Sequence, residues 1–150
     1  MALHRETRSL GYTPQQLFDL IAEVERYPEF LPLWREVHVD KNTSQNTHSS
    51  VYFTDQIIQL GPFNKRFHTK TILEPFTAIH VNSSDALFRQ FSIDWLFSPE
   101  GDNGCKIEFS LDCVATSVFL RPVFDIALME SARSIVSTFE NRARSLYDHR

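Results

Sequence analysis

The residues best suited to chemistry in this chain are six histidines and two cysteines. His4, His38, His48, His68, His80 and His149 show neither HExxH nor HxH spacing, so local sequence offers no set of nitrogens for a metal ion to share. Cys105 and Cys113 fall in what reads as one strand, which holds them roughly 26 Å apart. A disulfide needs Cα atoms within about 7 Å. Free thiols fit a reducing compartment. Cys113 lies on the apolar side of that strand with no local cation to activate it as a nucleophile. The four glycines, Gly11, Gly61, Gly101 and Gly104, make no GxGxxG or GxxxxGK cradle, and no GxSxG elbow is present. The expectation is a protein with no catalytic residue, no metal and no catalytic cofactor.

The positive signal is aromatic. Thirteen Phe, four Tyr and two Trp are spread through the chain. Phe67, Phe91, Trp95, Phe97 and Phe109, with Phe63, take inward positions on strands, while Phe124, Leu128, Ile135 and Phe139 face them from a helix. These side chains either fill a Phe-rich core or wall a cavity for a flat apolar ligand, and the sequence leaves both open. A second cluster is the connection Glu25–Trp34. Its Tyr27, Pro28, Phe30, Leu31, Pro32 and Trp34 are unusually apolar for a loop, and such loops carry function. They read equally as plugs of the core or as a gate that also touches a membrane.

The elements that must position these residues are legible from periodicity. Thr13-Pro14-Gln15-Gln16 has the N-cap, N1 proline and N3 glutamine of a capping box. Leu17, Leu20, Ile21 and Val24 follow as an apolar helical stripe. Pro28 should stop that helix near Arg26, with one more turn before Pro32. Alternation of period two then marks strands: Phe63, Phe67, Thr69, Thr71 and Leu73 on one face, then Phe91–Phe97, then Cys105–Cys113. Shorter strands are expected at Leu3–Leu10, Trp34–Val39, Val51–Ile58 and Ala78–Asn82, with a polar loop over Asp40–Ser50. From about Leu120 to Leu146 the residues Leu120, Phe124, Ala127, Leu128, Ala132, Ile135, Phe139, Ala143 and Leu146 form one apolar arc. Pro122 belongs in its first turn. This pattern predicts a two-layer α+β domain whose sheet curls around the last helix and leaves room for an apolar ligand.

The 150 residues suffice for one domain with a sizeable core. A net charge of −4 excludes broad attraction to nucleic acid, so no DNA partner is expected. No apolar run is long enough to span a bilayer. The N-terminus lacks the apolar stretch of a secretion signal, which points to the cytoplasm.

The run Tyr12–Ile21, followed by Val24-Glu25-Arg26-Tyr27-Pro28-Glu29-Phe30-Leu31-Pro32, resembles the coenzyme Q-binding START-like proteins. That group includes bacterial ribosome-association toxin homologues and sits within the polyketide cyclase/dehydrase and lipid-transport superfamily. Gly61-Pro62-Phe63, Phe67-His68-Thr69-Lys70, Trp95-Leu96-Phe97 and Phe139-Glu140-Asn141-Arg142-Ala143 follow in matching order. The chain departs from the family pattern at Asp85–Gln90 and at Leu33-Trp34, which bears on pocket shape. The resemblance implies a helix-grip fold over residues 1–150: a curved antiparallel sheet of six or seven strands around a long C-terminal helix, with two short helices after the first strand. It implies ubiquinone or a related polyprenyl lipid in a hydrophobic tunnel, held by a non-catalytic carrier that supports respiration. Such a carrier works in the bacterial cytoplasm and touches the inner membrane transiently. The alternatives are a translation regulator on a ribosomal subunit and, third, a cyclase or dehydratase.

Overall fold

The computed structural model describes residues 2–40, 44–45, 50–60 and 62–148. Its order is β1 (Ala2–Leu10), α1 (Pro14–Ala22), a 3-10 turn (Val24–Glu29), β2 (Trp34–Val39), β3 (Ser44–Gln45), β4 (Ser50–Leu60), β5 (Phe63–Glu74), β6 (Ala78–Asn82), β7 (Phe88–Glu100), β8 (Gly104–Ala115) and α2 (Arg121–Tyr147). Every strand pairing is antiparallel, and the sheet runs β1-β8-β7-β6-β5-β4-β2. Seven strands were legible from alternation. The two-residue β3, paired with β4, was not, because it lies in the polar stretch read as a loop. Residues 41–43 and 46–49 of that stretch, His48 among them, and Gly61 and His149 elsewhere lie outside the described residues.

The capping box forms as its residues dictate. Thr13 Oγ1 accepts the Gln16 backbone N–H at 3.1 Å, and Gln16 Oε1 accepts the Thr13 N–H at 2.9 Å. The helix, however, ends at Ala22 rather than near Arg26, and Pro28 sits inside the 3-10 turn. Two phenols cap that end. Tyr27 donates to the Ile21 carbonyl and Tyr52 donates to the Ala22 carbonyl at 3.2 Å, which satisfies two of the orphan acceptors of α1.

β8 alternates without a fault: Cys105, Ile107, Phe109, Leu111, Cys113 and Ala115 are buried. Both cysteines are free thiols. α2 lies across the concave face and buries Phe124, Leu128, Ala132, Ile135, Val136, Phe139 and Ala143. Leu146 continues the expected arc, yet it is exposed in the last turn of the helix. Phe63 also departs from its expected inward face and is 44% exposed. It opens β5 at the tip of the β4–β5 hairpin, where the Lys65 ammonium sits 5.7 Å from its ring centre. On β1 the core-facing positions hold His4, Glu6 and Arg8 between buried Ala2 and Leu10. Arg8 Nη1 donates to Ser137 Oγ on α2 at 2.8 Å, while Nη2 meets Glu6 at 2.5 Å.

Candidate functional site

Three spaces are strung along α2. The outermost is a groove of about 180 Å³ between Leu31, Pro32 and Leu33 of the turn-to-β2 connection and Ala127, Glu130 and Ser131 of the helix. Inside it lies a void of about 20 Å³, which shares Ser131 with the groove and is walled by Phe67, Phe109 and Leu128. Deepest is a void of about 40 Å³ between Trp95, Ile79 and Val81 on one side and Tyr27 and Val24 on the other. Trp34, Phe91, Ile93 and Ile135 border both inner voids. The expected continuous tunnel is therefore divided, because the Trp34 and Ile135 side chains fill the line between sheet and helix. Voids of this size hold about a water molecule each.

Of the nine expected wall residues, Phe67, Phe91, Trp95, Phe109, Leu128 and Ile135 border an inner void. Phe97, Phe124 and Phe139 do not. Phe97 is turned to α1, its ring 5.9 Å from Phe18, and Phe124 packs on Phe88 at 5.6 Å. Phe139 stands behind the wall, edge-on to Trp95 and Tyr27 at 5.5 Å each.

The Tyr27–Trp34 connection points inward more than outward. Leu31 and Trp34 are buried, Tyr27, Pro28 and Phe30 are partly covered, and Pro32 is exposed. Phe30 is clamped between Phe139, at 5.4 Å, and the Arg142 guanidinium, 5.1 Å from its ring centre. The strongly exposed apolar side chains lie elsewhere, at the start of α2: Phe119 is 92% exposed, and Val118 and Ile126 accompany it. Ile126 stands one turn before Glu130, and Glu130 lines the groove.

The wall also contains polar groups that aromatic counting missed. Thr54, Gln56, Thr69 and Thr71 are buried on the inner faces of β4 and β5. The Trp34 indole N–H donates to Gln56 Oε1 at 2.9 Å. Gln56 Nε2 donates to Thr54 Oγ1 at 2.9 Å and to Thr69 Oγ1 at 3.2 Å, and the two threonine hydroxyls bond each other. Thr71 bonds the Tyr52 phenol. The signal was present in the sequence. Thr69 and Thr71 share the Phe67 face, and Gln56 is in phase with Tyr52, Ile58 and Leu60.

Burial sets the protonation of the site. It pushes Tyr27 well above the usual phenol range and Tyr52 up to about 12, with Glu25 adding to the Tyr52 shift against the Thr71 hydrogen bond. Burial, reinforced by Asp125 and Asp112, pushes the Cys113 thiol up to about 12, so it stays protonated at neutral pH. Among the described residues no three His, Cys, Asp or Glu side chains gather as a metal site. No helix among them is long and apolar enough to cross a membrane.

Residues 10–140 match the profile of the family described as polyketide cyclase / dehydrase and lipid transport. The Ribosome association toxin RatA of Pseudomonas aeruginosa is 29% identical over 138 residues, covering 92% of either chain. The Coenzyme Q-binding protein COQ10 homolog B, mitochondrial, of Xenopus laevis is 22% identical over 149 residues, or 96% of this chain and 59% of that one. The solution structure of the 18 kDa protein CC1736 from Caulobacter crescentus superposes with a TM-score of 0.78 at 25% identity, covering 99% of each chain.

Proposed function

Because the chain belongs to the polyketide cyclase / dehydrase and lipid transport family, we propose that it binds an isoprenoid quinone such as ubiquinone between sheet and α2. It then acts as a non-catalytic carrier that supports respiratory electron transport. The observation that carries this reading is the line of spaces from the Leu31–Leu33 groove past Ser131 to the void beside Trp95. A quinone ring is flat and stacks on aromatic faces, here Phe91 and Trp95. Its tail gains about 0.8 kcal/mol for each CH₂ removed from water. Loading requires Trp34 and Ile135 to give way, since they separate the inner voids. The ligand resides in a bilayer, and the exposed Val118 and Phe119 ahead of α2, with Ile126 within it, would supply a transient apolar contact with it.

Lipid extraction and mass spectrometry of the purified protein test the reading. A co-purifying isoprenoid quinone in amounts comparable to the protein supports it, and a quinone-free extract that stays so after incubation with quinone vesicles overturns it.

One observation favours a second reading, regulation of translation at a ribosomal subunit. The Pseudomonas aeruginosa relative is matched over nearly its whole length, the COQ10 homolog over little more than half. Co-sedimentation with ribosomal subunits, without recovery of quinone, would favour that reading.

A further inference from the structure

The polar cluster in the wall has one more donor than it uses. Trp34 supplies one N–H, Gln56 two, and Thr54 and Thr69 one hydroxyl each. Four hydrogen bonds consume four of these five hydrogens: Trp34 to Gln56, Gln56 to each threonine, and one threonine to the other. One threonine hydrogen remains, and among the described residues no further acceptor takes it. Thr69 borders the deepest void, as does Gln56, whereas Thr54 stands behind them. When Thr54 donates to Thr69, the Thr69 hydroxyl keeps its own hydrogen for an acceptor in the void it borders. The neighbouring Thr71 is committed to Tyr52. A buried donor without an acceptor costs on the order of 1–3 kcal/mol, so this arrangement favours a ligand that brings an acceptor.

The rest of the lining narrows the chemistry. No charged side chain borders this void; around Thr69 and Gln56 stand Trp95, Phe91, Ile79 and Ile93. A carboxylate or phosphate would be buried there without a counter-charge, which is strongly unfavourable. A neutral carbonyl on a flat ring meets both the donor and the aromatic faces. Resting on the reading of the chain as a quinone binder, we infer that Thr69, held by Gln56 and Thr54, donates a hydrogen bond to a ring carbonyl of the bound quinone and sets its head at the Trp95 end of the site.

The test compares a decyl-substituted benzoquinone with decylbenzene, which has the same tail and no carbonyl, by calorimetric titration of the full-length protein. Thr69→Val keeps the shape and removes the donor, and Thr69→Ser restores it. T69V should weaken quinone binding about tenfold, leave decylbenzene binding unchanged, and be rescued by T69S. The carbonyl stretch of the bound quinone in the infrared should lie below its free value in wild type and T69S, and return to it in T69V. An unshifted carbonyl band in wild type, or a T69V effect equal for both probes, overturns the inference while leaving quinone binding in place. If the wild-type protein binds neither probe, the quinone reading falls and the inference falls with it.

Discussion

The Tyr52 phenol donates to the carbonyl of Ala22 at 3.2 Å and so ties the start of β4 to the last turn of α1. Burial pushes that phenol up to about 12, above the usual phenol range. A folded-state pKa raised in this way contributes stability that is complete below pH 10 and declines as pH rises through 12. Tyr27 shifts the same way, and Cys113, also at about 12, begins its decline from a lower starting pH. Urea denaturation as a function of pH should show stability falling steeply above pH 10. Tyr52→Phe should be less stable at neutral pH by about 1 kcal/mol for the lost bond. Its further loss between pH 10 and 12 should be smaller than wild type's by roughly 3 kcal/mol. Parallel curves for the two proteins would refute the assignment.

The reciprocal bonds of Thr13 and Gln16 give a second expectation. Thr13→Ala should cost about 1 kcal/mol in urea denaturation, with Thr13→Ser close to wild type. Because α1 buries Leu17, Phe18, Leu20 and Ile21, the loss should appear as a shift of the whole transition and not as local fraying.

Ser131 is shared by the outer groove and the first inner void. Ser131→Trp should fill that junction, slowing quinone uptake from vesicles by at least an order of magnitude. The side chain is only partly buried, so the thermal midpoint should stay near wild type. Stopped-flow transfer measurements read the first quantity and calorimetry the second. Uptake at the wild-type rate would place the access route elsewhere.

Phe119→Asp tests the proposed membrane contact. The side chain is almost wholly exposed, so stability should change by no more than about 0.5 kcal/mol. Flotation with quinone-containing vesicles should nevertheless drop severalfold. Phe30→Asp with Leu31→Asp is the informative contrast: Leu31 is buried and Phe30 is clamped by Arg142 and Phe139, so that pair should lower the melting temperature.

Most of the fold was legible because alternation and helical stripes are local signals. Seven strands and α2 lie where the sequence placed them, although β7 runs three residues beyond Phe91–Phe97 at either end. What escaped depends on groups distant in sequence. The end of α1 is capped by Tyr27 and by Tyr52, the latter thirty residues beyond the carbonyl it caps. Phe97, Phe124 and Phe139 have the inward phase of wall residues, but phase places a ring in the core without saying what it faces there. The Gln56–Thr69 contact had a sequence signal, two threonines in step with Phe67, yet its partners come from three strands. Phe119 was passed over because it sits between a strand and a helix, where periodicity says nothing.

The two rims of the sheet carry a final consequence. Beside its neighbour β8, β1 turns His4, Glu6 and Arg8 toward the core side, and Arg8 is engaged by Ser137 and Glu6. At the other rim, the β2 register slips between Trp34 and Glu36. A second copy that tried to extend the sheet would have to strand those charges on one side or match an irregular ladder on the other. A chain with thirteen phenylalanines thus has sheet margins that discourage fibre-like growth. It can expose Phe119 at one end without inviting its own kind along the sheet.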